Sequence, residues 1–305
     1  MHITDLHIKA GEPDRSLAYP GPRGITPEEV VLTKALLEQI EKVDREDFMI
    51  ESGGAFWRGR RDSRAVDGIW YRMRRMADEA PCLNTLPSPL REAIKHTLLS
   101  PHMTRGALVI ITGGPGCGKT TTGSATVKSR LQRYGGFCYT IEDPPELPLN
   151  GHHGPGYCTQ TWVAGDRDAD WAESMRGALR SQPVGTNLMM YVGEVRDNET
   201  AQVMIRAASN GFLVIGTCFG ANLQDGVRSF LERCGTEMAA NLAAVLRVVV
   251  HQNIIDGHFT SDILVSANPG SPVAALIRSG QLTQLANEIM YQRNQLGTTT
   301  DLLAR

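Results

Sequence analysis

The octapeptide Gly113-Gly114-Pro115-Gly116-Cys117-Gly118-Lys119-Thr120 fits the pattern G-x-x-x-x-G-K-[ST], and its surroundings leave few folds open to this chain. Before it, Ala107–Thr112 is apolar and has the length of a buried strand; after it, a helical pattern runs over 119–134 and is closed by Gly135-Gly136. Strand, glycine-rich turn and helix is the context in which such a loop binds phosphate. The glycines let backbone N–H groups curl around phosphate oxygens where side chains would collide. The helix offers its N-terminus, roughly half a positive charge, to the same anion. Lys119 reaches toward β- and γ-phosphate oxygens, and the Thr120 hydroxyl is placed to ligate Mg²⁺. The expectation is a site for ATP and Mg²⁺ built from Gly113, Gly114, Pro115, Gly116, Cys117, Gly118, Lys119, Thr120 and Thr121.

The texture from Ala107 onward is strand–helix–strand. Strands are predicted at Phe137–Glu142, Leu188–Gly193, Leu213–Thr217 and Arg247–Ile254, and a helix at Ala169–Ser181 stops before Pro183. That alternation predicts an α/β fold with a mainly parallel sheet covered by helices. Residues 1–100 read differently, rich in Arg and Pro, with turns at Gly11–Pro13, Pro20–Pro22 and Gly53–Gly54. Thr26-Pro27-Glu28-Glu29 opens a helix through Ile40, and Gly68–Met76 reads as an arginine-rich strand. Ser100–Arg105 is the expected linker, giving domains at 1–100 and 101–305.

Hydrolysis needs a polarised water and charge around the phosphates as well as a binding loop. Two acidic clusters follow predicted strands, where open α/β sheets place ligands. One is Ile141-Glu142-Asp143-Pro144-Pro145-Glu146; the other, Gly193-Glu194-Val195-Arg196-Asp197, follows an apolar run.

Composition narrows the alternatives. Lys plus Arg is 31 against Asp plus Glu 33, a net charge of −2, so no basic surplus marks a general nucleic-acid binder. No apolar run approaches the ~18 residues of a membrane span, and MHITDLHIKAGEP lacks the apolar core of a signal peptide. Six cysteines with no C-x-x-C pair read as reduced thiols, which predicts a cytoplasmic protein. His152-His153 reads as a Gly/Pro-rich surface loop rather than a metal pair, because adjacent side chains diverge and no third ligand stands at metal spacing.

The motifs together resemble the PilT/GspE-type secretion and pilus traffic ATPases. TDLHIKAGEP at 4–13 is similar to that family's opening, GGPGCGKTTT to its Walker A, IEDPPE at 141–146 to its Asp box and GEVRDNETA at 193–201 to its Walker B. ALRSQP at 178–183, ALIRSGQLTQL at 275–285 and LGTTTDLL at 296–303 extend the resemblance toward the C-terminus. DGIWYRMRR at 67–75 looks closest to the DotB/TraJ-like branch of type IVB secretion and conjugation. The resemblance implies an N-terminal α+β (PAS-like) domain followed by a RecA-like ATPase domain with C-terminal helices. It assigns Glu142 to the attacking water and Glu194 to the neighbourhood of Mg²⁺, held through water. It implies an arginine from the N-terminal domain acting on the nucleotide across a domain interface. Arg74 fits that role best by spacing, ahead of Arg58 and Arg60.

One departure stands out. The family's His box reads G-H-L-V…T-L-H-T, and here both histidine positions hold phenylalanine, Phe212 and Phe219. Phenylalanine cannot hydrogen-bond a phosphate. The implied function is a hexameric ATPase that drives a type IV secretion, conjugation or pilus machine from the cytoplasmic face of the inner membrane. It would act on a membrane-embedded platform, with no direct nucleic-acid partner. The alternatives are a nucleotide-binding scaffold with little turnover, which the missing histidines motivate, and a DNA-translocating motor.

Overall fold

Short alternating segments at the N-terminus pair into one antiparallel sheet. In a computed structural model that describes residues 3–163, 168–195, 197–296 and 301–304, this sheet lies in a first unit, Met1–Glu79 with Glu146–Pro148. Its elements are β1 (Asp5–Lys9), β2 (Leu17–Tyr19), β3 (Arg23–Gly24), α1 (Pro27–Ile40), β4 (Asp47–Ser52), β5 (Ala55–Asp62) and β6 (Trp70–Arg75). The strand order is β3-β2-β1-β6-β5-β4. Leu6, Ile8, Phe48, Trp57 and Met73 point inward and pack with Leu36 and Ile40 of α1.

Helix α1 begins as its sequence predicts. The Thr26 hydroxyl accepts from the Glu29 amide at 3.3 Å, and the Glu29 carboxylate accepts from the Thr26 amide at 2.8 Å, a reciprocal capping box. Arg23 forks onto the same carboxylate at 2.6 and 2.7 Å and, with the capping bonds, lowers the Glu29 pKa to about 2. On the outer face of the sheet Arg58 stands opposite Arg74 and Arg60 opposite Arg72. Like charges directly opposed are unfavourable. Aspartates offset them: Asp5 accepts from Arg74 at 2.7 Å, Asp62 from Arg72 at 2.7 Å and Asp47 from Arg60 at 2.9 Å.

The second unit comprises Ala80–Pro145 and Leu149–Arg305. In chain order it contains α2 (Glu92–Leu98), β7 (Ala107–Gly113), α3 (Lys119–Tyr134), β8 (Gly136–Glu142), β9 (Gly151–His153), β10 (Gly156–Trp162), α4 (Asp168–Arg180), β11 (Leu188–Val192), α5 (Asn198–Ser209) and β12 (Leu213–Cys218). It continues with α6 (Leu223–Cys234), α7 (Ala239–Val245), β13 (Leu246–Ile255), β14 (His258–Val265), α8 (Pro272–Arg278) and α9 (Leu285–Gln295). The sheet order is β14-β13-β7-β12-β11-β8-β10-β9. The six inner strands are parallel, and β14 and β9 close the edges antiparallel. Every residue of β7 and β12 is buried, as expected for strands covered on both faces. The RecA-like layout implied by the motifs is therefore present.

The unit boundary falls between Glu79 and Ala80, not near residue 100. Three consecutive polar residues of α3 hold the intervening segment on the second unit. Lys128 Nζ donates to the Ala80 carbonyl at 2.6 Å and Ser129 Oγ accepts from the Leu83 amide at 2.8 Å. Arg130 donates to the carbonyls of Leu98 and Ser100 at 2.9 and 3.0 Å. Residues 100–105 are thus part of the second unit's packing rather than a linker. His152 and His153 lie in the edge strand β9 rather than a loop, and His153 Nε2 pairs with the Leu149 carbonyl at 2.7 Å. Among the described residues no helix is long and apolar enough to cross a membrane, and no group of three or more His, Cys, Asp or Glu side chains is arranged to hold a metal.

Candidate nucleotide site

The loop is made at the end of β7 by backbone that other residues could not adopt. Gly113 has φ of 152°, and a Cβ there would lie 2.2 Å from the Gln252 carbonyl oxygen on β13. Gly118, at φ 85°, caps α3 in the left-handed region. Helices α1, α5 and α6 start with side-chain caps from Thr26, Asp197 and Asn222 and carry an acid in the first turn. Helix α3 has neither a side-chain cap nor an acid in its first turn. Its leading amides and positive dipole end are therefore left for an external anion. Cβ positions at Gly114, Gly116 and Gly118 meet nothing within 4 Å, so the rim of the loop is open. These features fit a polyphosphate.

Lys119 bends over this rim, donating to the carbonyls of Gly114 at 2.7 Å and Gly113 at 3.1 Å. Thr120 and Thr121 are half-buried beside it, whereas Thr122 turns into the interior and accepts from Gln252 Nε2 at 2.7 Å. The Cys117 side chain is buried.

Parallel register carries the acids to the same end of the sheet. Cys218 of β12 pairs with Thr112 of β7, Gly216 with Val192 of β11, and Val192 with Ile141 of β8. The residues just beyond, Phe219, Gly193-Glu194 and Glu142, consequently share one edge with the loop. The edge is stitched by Gly193 N donating to Ile141 O at 2.9 Å and Val195 N to Thr217 O at 2.8 Å. Glu142 is only 2% exposed and accepts from Gln160 Nε2 at 2.8 Å. A Cβ at Gly193 would come within 3.1 Å of Glu142 Cγ, so glycine there makes room for the acid. Asp143 next to it accepts from Trp162 Nε1 at 3.1 Å. Glu194 is exposed.

Asp197 has a structural task. It caps α5, accepting from the Thr200 amide and hydroxyl at 2.7 Å each. Arg196 lies outside the described residues. Arg74, Arg58 and Arg60 belong to the first unit.

The two phenylalanines of the altered His box turn out to be unlike. Phe212 precedes β12 and its carbonyl accepts from the Ala107 amide at 3.2 Å, at the start of β7. Six residues of strand, roughly 20 Å, separate that point from Gly113. Phe212 is 0% exposed within the main core, so it has no access to a phosphate on the loop. Phe219 follows the carboxyl end of β12 and is 52% exposed. Only the second substitution stands at the site's edge.

Two site residues escape the motifs. Gln252 buttresses the loop strand, and its one signal is a polar residue two positions beyond the run Val248-Val249-Val250. Gln160 lies in a stretch whose polar composition hides a strand.

A family model described as "Type II/IV secretion system protein" matches residues 69–274, which include the loop and both acidic clusters. Type II secretion system protein E of Klebsiella pneumoniae is 35% identical over 167 residues, covering 54% of this chain and 30% of that protein. The chain thus spans less than a third of the length of such relatives. Among solved structures, the pilus retraction motor PilT with bound ADP superposes with a TM-score of 0.69 at 23% identity, covering 95% of this chain and 88% of that one. The ATPase DotB of Legionella pneumophila gives 0.67 at 19% identity, covering 97% and 84%. These two are likenesses of fold. The family match over two thirds of the chain carries the assignment: this chain belongs to the type II/IV secretion system protein family.

Proposed function

We propose that this chain is an ATP-hydrolysing motor subunit that works as a homo-hexamer at the cytoplasmic face of an inner membrane, driving a type IV secretion, conjugation or type IV pilus machine. The observation that carries the reading is the convergence of the loop, Glu142 and Glu194 on one edge of a parallel sheet.

Each residue has a defined task in this reading. Lys119 exchanges the loop carbonyls for β/γ-phosphate oxygens, a charge-assisted hydrogen bond in place of neutral ones. Amides at the start of α3 hold the phosphates in a fixed orientation. Mg²⁺, ligated by the Thr120 hydroxyl and reached by Glu194 through water, would neutralise charge on the phosphate oxygens. Glu142, held on β8, accepts the proton of the attacking water. Arg74 supplies a fixed cation once it exchanges Asp5 for phosphate; its side chain is 63% exposed, which leaves that exchange open. The position of Phe212 removes half of the motive for a scaffold without turnover.

The test is ATP turnover by the purified chain, with particle mass measured on the same sample by light scattering. Turnover confined to a hexamer-sized species supports the reading, and a Glu194→Gln variant should then bind nucleotide without turning it over. Bound nucleotide with no turnover in any assembly would refute an enzymatic role. Hydrolysis stimulated by DNA with steep salt dependence would favour a DNA motor instead.

A further inference from the structure

Gln160 touches Glu142 from a strand that belongs to neither acidic motif. β10 lies beside β8 in parallel register, with Gln160 opposite Thr140 and Trp162 opposite Glu142. Alternation puts Cys158, Gln160 and Trp162 on the same face as Cys138, Thr140 and Glu142. Across that face the Gln160 amide is engaged at both ends. Nε2 donates to Glu142 Oε1 at 2.8 Å, and Oε1 accepts from the Leu149 amide at 3.0 Å. Its backbone amide donates to Asn150 Oδ1 at 3.0 Å, fixing the strand at that residue.

These contacts determine which way the amide faces. A flipped amide would set oxygen against a carboxylate and NH₂ against an N–H, two repulsive contacts in place of two bonds. The donor therefore points at Glu142 because the Leu149 amide demands the acceptor.

We propose that Gln160 is a positioning residue for Glu142, fixing the carboxylate in the orientation in which it receives a proton from water. The inference rests on the role given to Glu142 in the proposed reaction. A neutral amide suits the task. A buried carboxylate needs donors, yet an arginine or lysine there would pair away the charge that makes the group a base. A leucine would leave Oε1 without this donor and the Leu149 amide without its acceptor. A glutamate would keep the acceptor for Leu149 but lose the donor to Glu142. Gly193 completes the support by leaving room along the Glu142 side-chain stem. Among the described contacts, the carboxylate is held by a neighbour on the adjacent strand and given room by a glycine.

The test compares Gln160→Leu and Gln160→Glu with the unaltered full chain, measuring kcat, the KM for ATP, affinity for a fluorescent ATP analogue and the thermal midpoint. The expected result is a kcat lowered at least tenfold in both variants, with KM and analogue affinity within twofold. A second comparison places Gln160→Leu in a Glu142→Asp background, where the carboxylate is withdrawn from Nε2. There the effect of Gln160→Leu should shrink to twofold or less, whereas a residue that only fills space would cost the same factor in both backgrounds. Either an additive loss or a kcat within twofold of normal in Gln160→Glu overturns the proposal. Gln160→Glu, similar in shape, carries the test if the leucine variant does not fold. Glu142→Gln is run alongside. If it is inactive while Gln160→Glu turns over normally, the positioning role alone fails. If Glu142→Gln is fully active, the role of Glu142 fails and this inference falls with it.

Discussion

Restoring histidine at the two altered His-box positions should have opposite consequences, because the fold separates them. Phe212 is fully buried among Ala207, Ala208, Val214 and the rest of the main core, and it lies at the far end of β12 from the loop. Phe212→His replaces apolar ring carbons with two polar nitrogens. Losing part of a buried aromatic side chain costs about 1–3 kcal/mol by area. Leaving an imidazole nitrogen without a partner adds about 1–3 kcal/mol. A total of about 2–6 kcal/mol corresponds to a melting-point drop of roughly 4–24 °C for a unit of this size. Phe219→His starts from a half-exposed ring and should shift the midpoint by no more than about 2 °C, in keeping with surface substitutions. Because it adds a donor at the edge shared with Glu142 and Glu194, it should change kcat while Phe212→His leaves nucleotide affinity per folded molecule unaltered. Differential scanning calorimetry together with an ATP turnover assay reads both quantities. A stable Phe212→His variant with raised turnover would refute the placement of that residue and the register of β12 with it.

Three further outcomes follow from the described contacts. Lys119→Ala should weaken binding of an ATP analogue by about 10–100-fold, the loss of one or two charge-assisted hydrogen bonds; unchanged affinity in equilibrium titration would remove the loop from the binding site. With a thiol reagent at pH 7, Cys82 should be labelled first, since it alone among the six is not buried. Burial also pushes Cys138 well up and Cys218 and Cys234 to about 11, so peptide mass spectrometry should find those three slow to react. The Glu29 carboxyl, held by Arg23 at about 2 against an ordinary 4.5, contributes stability above pH 4.5 that is lost as pH falls toward 2. Glu29→Gln should accordingly melt lower than the unaltered chain at pH 7, with the gap closing below pH 4.5; a gap that persists at pH 2 would mean the charge is not what stabilises.

What the sequence could disclose depended on whether the physics was local. The loop, helix 119–134 and the helix start at Thr26-Pro27-Glu28-Glu29 are set by residues within a turn or two of each other, and they form as read. The strand order is different, because pairing β7 with β12 and β11 with β8 is a matter of long-range register. Phe212 and Phe219 look equivalent in a motif, and six residues of strand make them strangers. The unit boundary was obscured by Lys128, Ser129 and Arg130, which suggest a solvated helix face and are instead buried under residues 80–100. Strand β10 is not legible in the sequence because Thr159, Gln160 and Thr161 resemble a polar turn, and its partner Glu142 is what makes a half-buried glutamine there worthwhile.

The ladder that gathers the acids also withholds something from them. Gly113 and Glu142 end strands that are three spacings apart, roughly 14 Å at ~4.8 Å each. Hydrogen-bonded strands cannot slide without breaking every rung between them, so that interval is as invariant as the sheet itself. In the proposed reaction the cycle therefore cannot be timed by moving Glu142 relative to the loop. The beat has to be set by groups that the ladder does not hold.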